Sequence, residues 1–359
     1  MGTTDRWWLR GTVLPHGERD ELWIADGVVR TEPVAGADTL VDGGWIMPGL
    51  VDAHCHVGLD AHGATPDDVA EGHALADRAA GALLLRDAGS PADTRWVQQR
   101  LDLPRLIRAG RHIARPRRYL RNYGVEVEPG DLVAEVERQV AAGDGWVKLV
   151  GDWIDRDTGD LSPLWPPAVA TAAIDRAHQL GARVTAHTFG EQAVRELVRA
   201  GIDGIEHGTG LDADTIQLMA RRQVALVPTL LQLENFPAFA AAGEARFPTY
   251  ATHVRALYAR RVETFRAAYE AGVPIFAGTD AGGHLPHGLI GREVAQLAGL
   301  FGAEYALGAG SWRARSWLGR PAGLTEGDPA DLLVFDTDPR VDIGVLTRPS
   351  RVVLRGRVY

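Results

Sequence analysis

The middle of the chain alternates between short apolar runs and longer segments whose apolar residues recur every three or four positions. Apolar runs bounded by turn residues are typical of buried strands, and the longer spacing is typical of amphipathic helices. The pattern predicts eight strands, at Gly49–His56, Ala82–Arg86, Leu106–Ala109, Trp146–Val150, Arg183–His187, Gly204–His207, Ala225–Pro228 and Pro274–Asp280. It predicts helices between them, at Asp67–Ala80, Asp131–Ala142, Ala168–Leu180, Glu191–Ala200, Asp214–Arg222 and Tyr250–Ala271.

The order of these elements indicates the fold class. Strands that alternate with helices form parallel β-α-β units, and eight such strands are the number that closes a (β/α)8, or TIM, barrel. The competing arrangement is a doubly wound open sheet, which normally has a glycine-rich phosphate loop after its first strand. No such loop follows the first predicted strand. We therefore predict an α/β protein with a (β/α)8 barrel over residues 49–326.

Both ends of the chain show short strands separated by turns. Trp7–Val13 and Gly27–Arg30 are strand-like, and Asp26-Gly27 is a hairpin signal. Asp331–Asp336 and Arg351–Arg355 have the same character near the other end. Because neither end has enough strands for a stable sheet, we predict that residues 1–48 and 327–359 pair into one small β domain.

Composition and charge exclude several classes of partner. The net charge is −9 with acidic residues spread along the chain, whereas nucleic acids and anionic membranes require a basic patch. No stretch approaches the roughly 18 apolar residues of a membrane-spanning helix, and the N-terminus lacks a signal-peptide pattern. The single cysteine, Cys55, fits a reducing compartment. We expect a cytoplasmic protein, free to form a homo-oligomer, whose partner is a small-molecule substrate rather than nucleic acid or membrane.

One residue type is conspicuously rare. The chain has 38 basic residues, of which Lys148 is the only lysine. Arginine stays protonated in proteins, whereas a buried lysine can lose its proton and become a neutral amine. Lys148 sits in an otherwise apolar predicted strand, where a charged ammonium is costly. Depletion of lysine by base composition would explain the count but not this position, so Lys148 is a candidate functional residue.

Polar side chains also close several of the other predicted strands. His54 and His56 are two residues apart on one strand and therefore project from the same face, while Cys55 projects from the other. A single histidine at a strand end is more often a packing residue, but six such groups at one end of five strands favour a metal site. Imidazole and carboxylate ligands without thiolates suit zinc, or manganese, iron, cobalt or nickel. The six candidate ligands are His54, His56, Lys148, His187, His207 and Asp280.

These residues lie within motifs that resemble the amidohydrolase superfamily. Met47-Pro-Gly-Leu-Val-Asp-Ala-His-Cys-His56 is similar to its opening signature. Further similarity is found at Arg86-Asp-Ala-Gly89, Gly278-Thr-Asp-Ala-Gly282 and Gly327-Asp-Pro-Ala-Asp-Leu-Leu-Val334. The resemblance covers nearly the whole chain, and it is specific because the motifs occur in combination.

The resemblance implies a distorted barrel with a β-sandwich built from both termini and a binuclear metal centre. His54, His56 and Asp280 would bind the more buried divalent ion and His187 and His207 the exposed one. Lys148 would bridge the two ions as a carbamate formed with CO2. The similarity is greatest to prolidase-like and imidazolonepropionase-like hydrolases of C–N bonds in amides, peptides, lactams or carbamates. In these hydrolases, a metal-bound hydroxide attacks the carbonyl. By the same resemblance, Asp280 of this chain would take the proton from the hydroxide and pass it to the leaving nitrogen.

Two departures from the family pattern bear on the substrate. Relatives often have Gly-Gly-His-Gly after the third strand, where this chain has Arg121-Asn-Tyr-Gly124, so Tyr123 is a candidate donor to the substrate carbonyl. Relatives also tend to have a tyrosine shortly after a Pro-Thr-Leu in strand seven, and here Leu231, Gln232 and Leu233 follow. Both differences favour a less polar substrate than a dipeptide. Three further candidate substrate contacts are Trp153, His284 and His287.

Other functions stay open at this stage. A mononuclear deaminase of a nitrogen heterocycle would use the same fold with one metal and would not need the lysine of strand four. A non-enzymatic scaffold usually loses ligands, and none of the six is missing. A serine hydrolase is disfavoured because the chain has no Gly-x-Ser-x-Gly motif.

Overall fold

The computed structural model describes residues 6–359. Its strands are β1 Trp7–Val13, β2 Glu18–Ala25, β3 Val28–Arg30, β4 Asp38–Pro48, β5 Leu50–Asp60, β6 Gly63–Ala64, β7 Ala82–Asp87, β8 Arg105–Arg108, β9 His112–Ala114, β10 Gly124–Glu126, β11 Trp146–Val150, β12 Asp152–Asp155, β13 Asp160–Pro163, β14 Arg183–Thr188, β15 Gly204–His207, β16 Ala225–Val227, β17 Ala281–Gly283, β18 Leu332–Phe335, β19 Arg351–Leu354 and β20 Arg357–Val358. Its α-helices are α1 Asp67–Ala79, α2 Leu132–Ala142, α3 Pro167–Gln179, α4 Glu191–Ala200, α5 Ala213–Arg222, α6 Leu230–Leu233, α7 Phe236–Gly243, α8 Pro248–Glu270, α9 Ile290–Phe301, α10 Ala303–Ala309 and α11 Trp312–Trp317.

Strands from the two ends of the chain form one seven-stranded sheet in the order β20-β19-β18-β4-β1-β2-β3. The long strand β4 pairs in parallel with β1 and antiparallel with β18, so it joins the N-terminal strands to the C-terminal ones. Leu9, Ile24, Ile46 and Val353 are among the side chains of its buried core. Strands of the two ends therefore pair in one sheet, while the division into domains and a two-layered sandwich stay predictions.

The central part of the chain contains two further sheets made largely of parallel strands. One has the order β10-β9-β11-β14-β15-β16 and the other the order β17-β5-β7-β8. The six predicted helices are observed, with ends shifted by at most two residues. This α/β arrangement agrees with the predicted alternation of strands and helices.

The third predicted strand is followed by a short strand that was not predicted. Leu106–Ala109 falls on β8, which pairs with β7, while β9 at His112–Ala114 pairs with β11 of the other sheet. Between β8 and β9, Gly110 has φ of 72°, a left-handed conformation that glycine adopts without strain. The turn at this glycine moves the chain from one sheet to the next.

The eighth predicted strand is irregular, and it lies where the two sheets meet again. Ile275 forms an isolated parallel bridge with Leu226 of β16. On the other side, the amide of Ala53 donates to the carbonyl of Ala277, and the amide of Asp280 donates to the carbonyl of His54. Residues 274–280 therefore hold β16 and β5 side by side.

Two features of the fold were not expected from the pattern. A hairpin of β12 and β13 follows β11 directly, and the long connection after β16 contains α6 and α7. These elements are too short for hydrophobic periodicity to reveal them. Within residues 6–359, no helix is both long enough and apolar enough to cross a membrane.

Candidate metal centre

Two histidines of β5 point to the same place. The Nε2 atoms of His54 and His56 are 3.2 Å apart, and both side chains are buried. Between them, Cys55 lies on the other face of the strand, with its Sγ 3.9 Å from the carbonyl oxygen of Arg86. The alternation of side chains along a strand thus brings the two imidazoles together.

Asp280 and Lys148 reach the same place from two other segments. The Oδ1 atom of Asp280 is 3.1 Å from Nε2 of His54 and 2.9 Å from Nε2 of His56. The Nζ atom of Lys148, on β11, is 3.3 Å from Nε2 of His54. Lys148 is only 1% exposed, so the one lysine of the chain lies inside this cluster.

The histidines of β14 and β15 complete the cluster. Nε2 of His207 is 3.0 Å from Nδ1 of His187, and the rings of His207 and His54 have centroids 5.4 Å apart. Ligand atoms of His54, His207 and Asp280 all lie within 4.8 Å of one another. The structure therefore brings together all six residues that the sequence singled out.

The backbone is left-handed at three points around this cluster. His207, Thr229 and Asp280 have φ values of 66°, 50° and 60°, which non-glycine residues rarely adopt. Such conformations cost of the order of 1–3 kcal/mol each and tend to occur at functional sites. The Oγ1 atom of Thr229 lies 2.7 Å from Nδ1 of His207, so one unusual residue fixes the ring of another.

A buried carboxylate, Glu206, supports His54 from below. Its Oε2 atom is 2.8 Å from Nδ1 of His54, and its Oε1 atom is 2.5 Å from Nη2 of Arg86. Arg86 in turn lies against the rings of Trp146 and Trp317, at 4.6 and 5.0 Å. Both partners of the ion pair are fully buried. The sequence analysis missed Glu206, although a carboxylate in an apolar strand beside His207 is the same kind of signal as Lys148.

His56 is also held through its second ring nitrogen. Nδ1 of His56 is 2.6 Å from the carbonyl oxygen of Gly89, whose amide donates to Oδ1 of Asp87. Nε2 of His187 has no hydrogen-bond partner within residues 6–359 and lies 4.0 Å from Oδ1 of Asp152. Partners such as the Gly89 carbonyl fix the orientation of an imidazole and leave its other nitrogen free for a ligand.

Burial lowers the pKa of most basic groups in this cluster, although at His54 it is outweighed by Glu206 and Asp280, which raise the pKa of that imidazole above its usual value. Burial lowers the pKa of the His56 imidazole to about 4 and that of His207 to about 3. Burial also lowers the pKa of the Lys148 ammonium to about 8, against the opposing charges of Glu206 and Asp280. Neutral imidazoles can donate a lone pair to a cation, and a neutral lysine amine can react with CO2.

A cavity of about 430 Å³ opens above the cluster and includes His56, His187 and Asp280 in its floor. Three of the four predicted substrate contacts, Tyr123, Trp153 and His284, line this cavity. The structure does not bring His287 there. Its Nδ1 atom is 2.7 Å from Oδ2 of Asp77, and its ring stacks on His73 at 4.4 Å.

Most of the cavity wall was not predicted from the sequence. Gln232 and Arg246 are polar members of the lining, and the remainder is largely apolar. They belong to the long connection after β16, in which the hydrophobic pattern gave no indication of function. The aromatic residues that the sequence analysis missed are Tyr119, Phe189, Phe239, Phe247 and Tyr250.

A second cavity of about 270 Å³ lies beside Asp87, Arg108 and Arg111. Its lining contains none of the six clustered residues, and Arg108 already forms an ion pair with Asp144 at 2.8 Å. We therefore place the chemistry in the cavity above the cluster.

Comparison with known proteins agrees with this geometry. A protein of Mycobacterium tuberculosis (strain ATCC 25618 / H37Rv), named only as uncharacterized, is 58% identical over 354 residues, which is 98% of this chain and 95% of that protein. Ochratoxinase of Aspergillus niger is 27% identical over 232 residues, which is 62% of this chain and 48% of that protein. The crystal structure of a Xaa-Pro dipeptidase with bound methionine superposes with a TM-score of 0.82 at 22% identity, covering 99% of each chain. At this identity the structural likeness establishes the fold alone.

The family model described as "Amidohydrolase family" matches residues 45–359. This span includes β5, the cavity and all six clustered residues. The chain belongs to the amidohydrolase family.

Proposed function

We propose that the protein is a hydrolase that cleaves a C–N bond of a small molecule with two divalent metal ions, at the mouth of a distorted (β/α)8 barrel. The observation that carries the proposal is the convergence of four histidines, one aspartate and the only lysine on one buried point. The chain belongs to the amidohydrolase family, and it is similar to a dipeptidase and to ochratoxinase. These similarities support hydrolysis as the reaction. In this proposal the barrel spans residues 49–326, and residues 1–48 with 327–359 form the second domain, of which residues 1–5 lie outside the described part of the chain.

The arrangement of the six residues fits divalent ions. His54 Nε2, His56 Nε2 and Asp280 Oδ1 are 2.9–3.2 Å apart. Ligands about 2.0–2.1 Å from a tetrahedral zinc ion lie roughly 3.3 Å from one another, so these atoms are spaced as ligands of one ion. His187 and His207 present a second pair of nitrogens 3.0 Å apart for the other ion.

Lys148 would connect the two ions as a carbamate. Its burial and its position 3.3 Å from His54 support this role, because a carboxylated lysine supplies two oxygens where an ammonium supplies only a positive charge. Zinc is the expected ion, and manganese, iron, cobalt or nickel would accept the same ligands. When bound, such ions activate water and polarise the carbonyl of the substrate.

The residues of the chain then have separate tasks. Asp280 is positioned to accept the proton of the attacking water and deliver it to the leaving nitrogen. Burial would raise the pKa of the Asp280 carboxyl, but His54 and the other neighbouring imidazoles hold it well below its usual range, so it is ionised, as a metal ligand must be. Tyr123, Trp153 and His284 are placed to orient the substrate, and the aromatic lining excludes bulk water.

A mononuclear deaminase is the second candidate, and one observation favours it. Ligand atoms of His54, His207 and Asp280 lie within 4.8 Å of one another, so these three alone could hold a single ion. That function gives no role to Lys148. The number of ions and the need for the lysine therefore separate the two candidates.

The test is metal analysis combined with substitution of Lys148. We expect about two equivalents of metal per chain after purification with zinc or manganese and bicarbonate. Lys148→Ala should lower the metal content and reduce the turnover of amides by roughly 10³-fold. Cys55→Ala, on the opposite face of β5 from the histidines, is the matched control and should retain metal and activity. One bound ion, release of ammonia from a heterocycle and an active Lys148→Ala would replace the proposal with the deaminase, and full activity without metal would exclude both.

A further inference from the structure

The side chains that line the cavity above the proposed metal centre indicate the kind of amide that the cavity can bind. We infer that the substrate joins a flat aromatic group to a part that bears one anionic group, most simply a carboxylate. This inference rests on the proposed function, because it names the substrate of the same site. It depends on two aromatic walls and on one arginine.

The first wall, which we call the hairpin wall, consists of Tyr119, Tyr123 and Trp153. The rings of Tyr119 and Trp153 meet edge to face, with centroids 4.9 Å apart, and those of Tyr119 and Tyr123 at 6.1 Å. Arg118 fixes this wall, because its guanidinium donates to the carbonyl of Trp153 and to the Oγ atom of Ser162. The rings are thereby held in place before any substrate arrives.

The second wall, which we call the helix wall, consists of Phe239 of α7, Phe247 directly before α8, and Tyr250 within α8. It faces the same cavity as the hairpin wall. The amide of Tyr250 donates to the carbonyl of Gly159 in the β12–β13 turn at 3.1 Å, so the two walls are joined at one end. Aromatic rings bind other rings in offset or edge-to-face pairs and gain more from them than from aliphatic groups of equal area. A slot with rings on both sides therefore favours a flat aromatic group.

Among the residues that the structure describes, Arg246 supplies the only guanidinium of the cavity lining. Its side chain is exposed, its Cζ atom lies 5.0 Å from the centre of the Phe247 ring, and no ion pair of Arg246 occurs within residues 6–359. A guanidinium free of a protein carboxylate at the mouth of an apolar cavity is suited to bind an anion of the ligand. The floor of the cavity is buried and the arginine is exposed, so the anionic group lies at the outer end.

The lining also argues against a free dipeptide. The ammonium group of a dipeptide requires an anionic partner, and within residues 6–359 Asp280, which belongs to the proposed metal centre, is the only carboxylate that lines the cavity. An amide whose nitrogen and carbonyl carry no free ammonium group fits better. Hydrolysis of such a molecule adds water across the C–N bond and yields a carboxylic acid and an amine.

A panel of matched amides tests this inference on the metal-loaded full chain. N-(2-naphthoyl)glycine carries both features, N-(cyclohexanecarbonyl)glycine lacks the aromatic ring, and N-(2-naphthoyl)glycinamide lacks the charge. We expect kcat/KM for the first to exceed that for each of the others by about 10-fold. N-(2-naphthyl)succinamic acid and its analogues repeat the comparison with ring and charge exchanged across the amide.

Two substitutions assign the two features to residues. Trp153→Leu should abolish the preference for naphthoyl over cyclohexanecarbonyl, and Arg246→Gln should abolish the preference for the charged over the neutral amide. Arg266→Gln, an exposed arginine of α8 outside the cavity lining, is the control and should change neither. Equal rates for all three amides, or preferences unchanged in both variants, would overturn the inference while leaving a C–N hydrolase in place.

A binding measurement separates this inference from the proposed function. N-(naphthalene-2-sulfonyl)glycine cannot be hydrolysed at a carbonyl, and calorimetry should show that Arg246→Gln weakens its binding by about 10-fold. Binding without any amide hydrolysis would reject the proposed reaction and keep the shape and charge of the ligand. If the enzyme hydrolyses all amides of the panel at equal rates and does not bind this analogue, the inferred substrate class is rejected and the proposed reaction is kept.

Discussion

The floor and the walls of the cavity are built by different means. The floor is made of polar side chains at the ends of strands, and nearly every one is tied to a second buried group, as His54 is to Glu206 and His207 to Thr229. The walls are made of aromatic side chains on the β9–β10 connection, on the β12–β13 hairpin and on the segment from α7 into α8, and they contact one another and the ring of His187. The floor is rigid because its polar atoms would be costly to leave without partners. The walls can change with little cost to the fold.

This difference separates chemistry from selectivity. A metal centre requires fixed positions for its ligands, whereas a substrate slot can exchange one ring for another. We expect substitutions below the floor to affect stability and metal binding together. Substitutions behind the walls should affect the recognition of substrate and leave the rest of the protein intact.

The largest effect is expected below the floor, at Glu206. Glu206→Gln removes the negative charge next to Arg86 in a fully buried pair and leaves a guanidinium without its counterion. Loss of one partner from such a pair typically costs about 3–5 kcal/mol, which we expect in the free energy of unfolding measured with urea. Glu244→Gln breaks an exposed pair with Arg255 and should leave the stability unchanged. A Glu206→Gln protein as stable as the parent would show that the floor does not depend on this pair.

An intermediate effect is expected behind the hairpin wall, at Arg118. Its Nη1 atom is 3.0 Å from Oδ2 of Asp155 in β12, and it also contacts β13, so Arg118→Gln should loosen the hairpin that carries Trp153. We expect KM to rise by about 10-fold with kcat changed only a few-fold, because the reacting groups stay in place. Arg115→Gln, which removes a longer pair with Glu128 at 3.5 Å, is the control. A fall in kcat with KM unchanged would mean that the hairpin acts on the chemistry itself.

The smallest effect is expected where three segments near the walls meet, at His253 of α8. Its Nδ1 atom is 2.9 Å from Asp160 of β13, and its Nε2 atom is 2.9 Å from Glu191 of α4. The hydrogen bond to Glu191, followed by that to Asp160, raises the pKa of the His253 imidazole from 6.5 to about 9.

Since the pKa is higher in the folded than in the unfolded protein, this stabilisation is complete below pH 6.5 and is lost as the pH rises through 9. Because the group is partly exposed, we expect a loss of about 1 kcal/mol over this window. Thermal unfolding between pH 6 and pH 10 would measure it, and His253→Gln should remove this part of the pH dependence. A variant with the same pH profile as the parent would assign the loss to other groups.

The sequence predicted the floor better than the walls for a physical reason. Metal ligands must end strands in a fixed geometry, and the resulting residues stand out against apolar neighbours, as His54 and Lys148 do. The side chains of the walls come from connections, whose path is set by packing rather than by a repeating pattern. His284 and His287 illustrate the limit, because they are three residues apart in one loop, yet one lines the cavity and the other pairs with Asp77.

The unpredicted strand β9 shows the same limit for the fold. The apolar run at Leu106–Ala109 correctly predicted a strand, but the pattern did not show that the chain changes sheet at Gly110. That change depends on which neighbours β9 finds, and so on contacts between residues far apart in sequence. The strand order of the terminal sheet could likewise be anticipated only as far as the pairing of the two ends.

The solitary lysine has a practical consequence for chemical modification. Amine-directed reagents meet no exposed ε-amino group on the folded chain, because Lys148 is enclosed in the interior. An adduct found on Lys148 by peptide mapping therefore shows that the interior has opened at this one residue. No other lysine has to be removed by mutation before the experiment. Added bicarbonate should slow the labelling if it converts the amine into a carbamate, so the rate of a simple acylation would report the state of that one nitrogen.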